Sequence, residues 1–387
     1  MKAPLHGGHA YAWAELLRLP ALFTVPGDAL AGAAAASARP TPRTLLAIAS
    51  SLCLYEAGMA LNDWADRDVD AVERPHRPLP SGRIRPAAVL GAACALTGAG
   101  VTLAACAGRP ALTVAVPLAA TVWAYDLALK DTPAGPFAMA TARGLDLLLG
   151  AAASAGGERG GAGGVGVRRM VGAGAVGRRF GAAGTVPGIR RDPPPADLLG
   201  FRATSSSATF PGIRSALPSA ALLGTHTLAV TLVSRREAQG GAPLAPFAAL
   251  AATAALTWTV TRQRAVGSRN LPHLADLAAR LPRPLRQAGD HIPRPGPHRH
   301  RLDTHAALRL ALGAVYATTA ARPYFHATLN PSPPLTQRAV TAGIRATIPL
   351  QAALATRSGT KGATVTALLT TALAPLAGRF ARKVSVT

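Results

Sequence analysis

The chain has 387 residues, of which 49% are hydrophobic and only 15% are charged, and its mean hydropathy is positive at +0.23. So small a charged fraction argues against an ordinary soluble domain. A net charge of +23 would suit a nucleic-acid binder, but the basic residues lie between the apolar segments and lack interleaved aromatic residues for base stacking. We therefore expect a lipid bilayer, and no nucleic acid, as the partner of this surface.

Ten apolar segments follow one another along the chain, and several lack charged residues over the roughly 20 residues that a membrane span needs. The first is interrupted by Pro20, Pro26 and Asp28. Nine or ten such helices predict an all-α fold, a polytopic membrane bundle in a single domain over residues 10–387. The predicted spans lie near 12–37, 43–62, 86–107, 110–129, 137–155, 216–234, 242–261, 305–321, 335–356 and 362–378.

Two stretches, 156–214 and 262–301, interrupt this pattern because they are rich in Arg, Gly and Pro and show no helical or strand periodicity. They are either genuine disordered loops or out-of-frame translation of a GC-rich gene. Both follow odd-numbered spans. If the loop after the second span is cytoplasmic, both lie outside, which the positive-inside rule disfavours. The predicted topology therefore favours out-of-frame translation over genuine loops.

A run of acids ends the second apolar segment. Asp63, Asp66 and Asp70 are spaced at i, i+3 and i+7, which predicts three carboxylates on one helical face. Carboxylates so close repel one another unless a cation lies between them, and a hard cation such as magnesium suits them. A solvated acidic helix end is the alternative, but the abrupt junction with an apolar helix favours the metal site.

The segment NDWADRDVDAVERPHRPLPSGRI, residues 62–84, resembles the first Asp-rich motif of the UbiA superfamily of intramembrane prenyltransferases, NDxxDxxxD followed by RPxRPxxSG. Residues 124–130, AYDLALK, resemble that family's Tyr-x-x-x-x-Lys segment, and residues 16–32 are similar to its first helix. The resemblance covers most of 10–155, and 216–261 and 322–387 more loosely.

The resemblance implies a bundle of about nine transmembrane helices around a cavity, in which Mg²⁺ and a prenyl diphosphate bind and the prenyl group passes to a hydrophobic or aromatic acceptor. It implies an enzyme in the cell (inner or plasma) membrane, crossing it many times. Asp63, Asp66 and Asp70 would be the catalytic metal ligands. The implied substrate-binding residues in this part of the chain are Asn62, Arg77, Tyr125 and Lys130.

One departure from the family concerns its second Asp-rich motif, DxxxD, at the end of the sixth span. The matching residues begin with Val233 and offer only Glu237 as a metal ligand, while Arg235 and Arg236 could bind diphosphate instead. The variant resembles an EboC-like branch of the superfamily. A non-catalytic lipid- or isoprenoid-binding or transport protein that retains the fold is therefore the alternative function.

A few other polar residues lie in apolar segments. Arg143 and Asp146 form either an internal ion pair or cavity-lining groups near the acceptor, and both interpretations stay open. Glu56 faces the cavity or snorkels, and His226 is expected to be a hydrogen-bonded core residue rather than a proton carrier. His298, His300 and His305 resemble a metal-binding tract only superficially.

Overall fold

In a computed structural model of the chain, the structure describes residues 7–18, 24–155, 211–237, 239–262 and 304–359, together with 362, 364–372 and 375. Most of the two Arg-rich stretches, with His298 and His300, lies outside the described residues. The part that is described differs from the prediction in one respect. A helix begins at Pro211, so residues 211–214 are helical and do not belong to an irregular loop.

All regular structure in the described ranges is helical, which confirms the all-α prediction. Residues 364–372 are helical as well. The named α-helices, in chain order, are α1 Gly7–Leu16, α2 Val25–Ala35, α3 Pro42–Ala65, α4 Arg67–Glu73, α5 Pro86–Ala107, α6 Arg109–Ala124, α7 Gly135–Ala155, α8 Pro211–Ser234, α9 Leu244–Thr261, α10 Thr304–Leu329 and α11 Pro333–Ala355.

Proline and threonine residues mark the starts of two of the helices. Pro42 and Pro86 occupy first helical positions, where a missing N–H costs nothing and the fixed φ suits a helix. At α3 the backbone N–H of Thr41 donates to the Thr44 hydroxyl at 2.9 Å, as part of a capping box. Gly108 joins α5 to α6 with a φ of 130°, which a side chain would strain.

Five of the described helical segments are long and apolar enough to cross a bilayer. The chain is thus a multi-pass membrane protein, while the count of about nine spans stays a prediction. The five segments are Pro42–Ala65, Pro86–Ala107, Arg109–Leu129, Gly212–Ser234 and Leu244–Thr261.

The helices pack closely because small residues lie at their crossings. α2 crosses α7 where Gly32 approaches the backbone of Leu147 and Gly150 approaches that of Ala29, so that a Cβ on either glycine would collide with main chain. α3 packs against α5, α2 and α7. α3, α6 and α7 surround one cavity, and α2 supports α7 from behind.

The helices differ from the predicted spans at three functional places. The first predicted span is two helices, α1 and α2, as the prolines within it suggested. α3 ends at Ala65, one residue before Asp66. Finally, α6 continues into a π-helical turn, Tyr125–Leu129, closed by a 2.9 Å hydrogen bond from the Lys130 N–H to the Tyr125 carbonyl.

Candidate active site

The Asp-rich run is divided between two helices, whereas the prediction placed it on one. Asp66 lies between α3 and α4 with φ −86° and ψ 0°. The N–H groups of Asp66 and Asp70 still donate to the carbonyls of Asn62 and Asp66, so the change of direction is small. Asp63 and Asp70 share one basic partner, and Asp66 has another.

Asp63 and Asp70 share one guanidinium. Arg77 Nη1 lies 2.7 Å from Asp70 Oδ2 and 3.6 Å from Asp63 Oδ1. Arg74 adds a 3.5 Å contact to Asp70, and Arg18 donates to Asp63 Oδ1 at 3.1 Å. Both carboxylates are almost fully buried, so these basic partners compensate charges that would otherwise be costly to bury.

Asp66 pairs with Lys130, which follows the π-helical turn of α6. The turn inserts an extra residue into the helix, and such turns often occur at functional sites. The predicted diphosphate-binding lysine thus lies beside a predicted metal ligand, although 64 residues separate the two in sequence.

A cavity of about 310 Å³ opens between α3, α6 and α7 beside this cluster. Asn62, Tyr125 and Arg18 line its part near the Asp-rich run. Its volume lies at the small end of the range for ligand sites. Apolar side chains supply much of its wall, namely Leu54, Met59, Leu118, Val122, Met139 and Ala142.

Asp126 also lines the cavity and was not among the predicted site residues. Its side chain is buried and accepts a 3.3 Å hydrogen bond from the Asn62 amide. It also lies within electrostatic range of Asp66, Lys130 and Arg18. An acid near the end of an apolar span is a signal that could have identified it.

The residues that replace the family's second acidic motif form the turn after α8. Arg235 donates to the Asp131 carbonyl at 3.2 Å and to that of Thr132, both in the loop after α6, which places it within electrostatic range of Tyr125. Arg236 is exposed. Partial burial raises the pKa of the Glu237 carboxyl above its usual value.

Arg143 and Asp146 both line the cavity, but they do not form the simple pair that one interpretation expected. Arg143 Nη1 lies 3.0 Å from Asp28 Oδ2, on α2. Asp146 instead accepts a hydrogen bond from the Ser51 hydroxyl. Asp28, which interrupts the first predicted span, therefore supports the cavity wall through Arg143.

Other polar residues lie away from this cavity. His226 is buried between the Tyr316 hydroxyl, 3.1 Å from Nδ1, and the Gly343 carbonyl, 3.0 Å from Nε2, which agrees with a hydrogen-bonded core residue. Glu56 is buried without a hydrogen-bond partner in the described ranges, and it does not line the cavity. His305 contacts Thr364.

The Asp-rich end is chemically suited to magnesium. Within the described residues, no group of three His, Cys, Asp or Glu side chains lies close enough together to hold a metal unaided. Mg²⁺ commonly binds through one or two carboxylates, substrate phosphates and water. Asp63 and Asp70 offer such a pair, with a positive group already bridging them, and the donor set therefore fits.

Residues 22–173 match the UbiA prenyltransferase family. The match thus covers less than half of the chain. It contains the whole Asp-rich run, Lys130 and every cavity-lining residue except Arg18, so the similarity to this family lies in the part of the protein that forms the candidate site.

Two archaeal digeranylgeranylglyceryl phosphate synthases are similar to part of this chain. That of Methanothrix thermoacetophila is 37% identical over 111 residues, 28% of this chain and 42% of that one. That of Methanopyrus kandleri is 35% identical over 127 residues, 32% and 45% of the two chains. The matches thus span less than half of either relative.

The apo structure of a UbiA homolog from Aeropyrum pernix K1 superposes with a TM-score of 0.53 at 17% identity. The superposition covers 86% of this chain and 96% of that one. At such low identity the likeness shows the fold alone, and it agrees with the helical bundle described above.

Proposed function

We propose that this protein is a membrane-embedded prenyltransferase, which transfers the prenyl group of a prenyl diphosphate to a hydrophobic or aromatic acceptor. The observation that carries the proposal is the junction of two features. Buried carboxylates with basic partners, Arg18, Arg77 and Lys130, lie directly beside an apolar cavity inside a helical bundle. Diphosphate and isoprenoid chain need these two environments in this order.

The reaction breaks the bond between the allylic carbon and the diphosphate oxygen, and the electron pair leaves with the diphosphate. Asp63 and Asp70, together with Asp66 beside Lys130, would hold Mg²⁺, which supplies Lewis-acid stabilisation of that developing charge when bound. Arg77 and Lys130 add fixed positive charge at the same end. The acceptor then forms a bond to the allylic carbon and loses a proton.

Apolar walls suit the second half of this reaction. Leu54, Leu118 and Val122 surround the space next to Asn62 and exclude water, which would otherwise capture the allylic cation. In this proposal Tyr125 and Arg235 border the diphosphate, while Glu237 is a peripheral candidate for a second metal. The proposed location is the cell membrane, with the Asp-rich end facing the cytoplasm.

Magnesium-dependent release of pyrophosphate from geranylgeranyl diphosphate, in membranes containing the full chain, tests the proposal. We expect Asp66→Asn to lower the rate by at least about 100-fold, because a ligand that stabilises the leaving group is lost. Asp68→Asn is the matched control, since that side chain is 83% exposed and contacts only Arg67 among the described residues. Its rate should match the wild type.

Equal rates for the wild type and Asp66→Asn would contradict a transferase that uses this run. A second function follows if the inserted wild-type protein releases no pyrophosphate but binds the diphosphate. The degraded second motif, with Val233 and two arginines, favours this non-catalytic isoprenoid-binding or transport role as the alternative. Binding that survives in Asp68→Asn and is lost in Asp66→Asn would support it.

A further inference from the structure

The inner end of the cavity is polar, unlike its middle. Ser51, Arg143 and Asp146 line it there, next to Tyr55. Ser51 and Asn62 both line the cavity from α3 and are eleven residues apart in sequence, so the polar end lies about 16 Å along the helix from the Asp-rich end. A prenyl tail that reached this end would meet charged groups. The inner end is therefore better suited to a polar group of the acceptor.

Asp28 supports this polar end from behind and holds Arg143 in place. It is fully buried, its Oδ2 lies 3.0 Å from Arg143 Nη1, and its Oδ1 accepts a 2.6 Å hydrogen bond from the Gln351 amide. The Gln351 amide also donates to the Thr24 carbonyl at 2.7 Å. The positive charge of Arg143 is therefore largely committed to Asp28.

Asp146, by contrast, has capacity left. A carboxylate accepts roughly four hydrogen bonds; within the described ranges Asp146 accepts one from Ser51 and lies within hydrogen-bonding range of the Asp28 carboxyl, which leaves room for a further donor. The Asp28 and Asp146 carboxyl groups are near enough to interact, so the cluster has two acids and one guanidinium. A group that donates a hydrogen bond is favoured in such surroundings, and an anion is repelled.

We infer that Ser51, Arg143 and Asp146 form a subsite for a neutral hydroxyl group of the acceptor, whose O–H donates to Asp146. This inference rests on the proposed function, since it names the class of acceptor that this cavity takes. The acceptor is a hydroxylated molecule with an apolar body. Its hydroxyl lies at the inner end, and its nucleophilic atom faces the prenyl diphosphate.

Binding of a matched pair of probes to the purified full chain tests the subsite without requiring turnover. One probe is the diol 4,4′-dihydroxybiphenyl, and the other is biphenyl-4,4′-dicarboxylate, in which a carboxylate replaces each hydroxyl so that neither orientation can present a hydroxyl to the subsite. Dissociation constants come from thermal stabilisation of the protein in detergent. We expect the diol to bind the wild type at least about tenfold more tightly than the carboxylate, because the latter places an anion beside Asp146.

Asp146→Asn should remove the preference for the diol, and Ser51→Ala should weaken diol binding several-fold. Ser50→Ala is the matched control: Ser50 is buried on another face of α3, donates to the Gly100 carbonyl at 2.7 Å and does not line the cavity. It should bind both probes like the wild type.

Tighter binding of the carboxylate by the wild type would overturn the inference, because Arg143 would then create an anion site. Diol binding unchanged in both Asp146→Asn and Ser51→Ala would overturn it as well. Binding of geranylgeranyl diphosphate, measured in parallel by the same method, separates the two proposals. If the diphosphate does not bind while diol binding depends on Asp146, the hydroxyl site stands and the transferase proposal falls.

Discussion

At the scale of single residues, Arg77 connects the two helices of the Asp-rich run. Its guanidinium contacts Asp63 at the end of α3 and Asp70 within α4, so one side chain joins two helices across the break at Asp66. Charge-assisted hydrogen bonds of this kind are among the stronger ones in proteins. The motif therefore has a defined arrangement that its own basic residues maintain.

Arg143 offers a test of how far the cavity wall depends on one charge. Arg143→Leu leaves the fully buried Asp28 without its guanidinium, and we expect the free energy of unfolding to fall by about 3–5 kcal/mol. Unfolding in mixed micelles with increasing SDS measures this. The double variant Asp28→Leu/Arg143→Leu should recover most of the loss.

Two results would contradict that account. One is a double variant as unstable as Arg143→Leu, which would mean that the loss does not arise from the unpaired acid. The other is a similar loss in Arg109→Leu, a control at an exposed position at the start of α6.

The sequence predicts a set of candidate site residues because the Asp-rich run and the Tyr125–Lys130 segment are local patterns. The pairs they form could be predicted less well. Arg18 is 45 residues from Asp63, and Asp28 lies far in sequence from Arg143. Such pairs depend on how helices pack, and no local periodicity encodes them.

At the scale of elements, the sequence predicts most helix boundaries within a few residues. Long apolar runs between Pro and Gly leave little freedom, as in α5, where prediction and structure agree on 86–107. The break at Asp66 and the π-helical turn were not predicted. Both shift the hydrogen bonding of a helix by one residue or so, and the 3.6-residue period is too coarse to reveal that.

The close packing of α2 against α7 leads to a second prediction. A methyl group at Gly150 would collide with the backbone of Ala29, so Gly150→Ala should lower the free energy of unfolding by about 2 kcal/mol. Thermal unfolding in detergent measures it. The matched control is Gly91→Ala in α5, where the added Cβ meets nothing, so stability should be unchanged or rise by up to about 1 kcal/mol.

An equal loss of stability in Gly91→Ala and Gly150→Ala would contradict the role of close packing at this crossing. It would show instead that the substitutions act through the helix backbone alone.

For the whole molecule, the described helices place basic residues unevenly at the two ends of the bundle. The end with the Asp-rich run carries the larger number, around α4 and after α6 and α8, whereas the other end has Arg39, Arg43, Arg109, Arg214, Arg262 and Arg357. Counted over the described residues alone, the positive-inside rule favours a cytoplasmic Asp-rich end.

Single cysteines test this orientation, in a background where the three native cysteines are replaced by alanine. Glu73→Cys and Asp131→Cys should react with an impermeant maleimide only after the membrane is opened. Arg39→Cys and Arg109→Cys should react from outside in intact cells. All four positions are exposed. The reverse pattern would contradict the assigned orientation.

The π-helical turn at Tyr125–Leu129 has a consequence for the evolution of this helix. Because it holds one residue more than an α-helical turn, it sets the angular position of Lys130 independently of the apolar residues before it. Deleting Ala128 would let the turn relax to an ordinary α-helix, with Lys130 moved up by one position and α6 upstream unchanged. A length change of a single residue is thus a route by which relatives can relocate a lysine without rebuilding the membrane span that carries it.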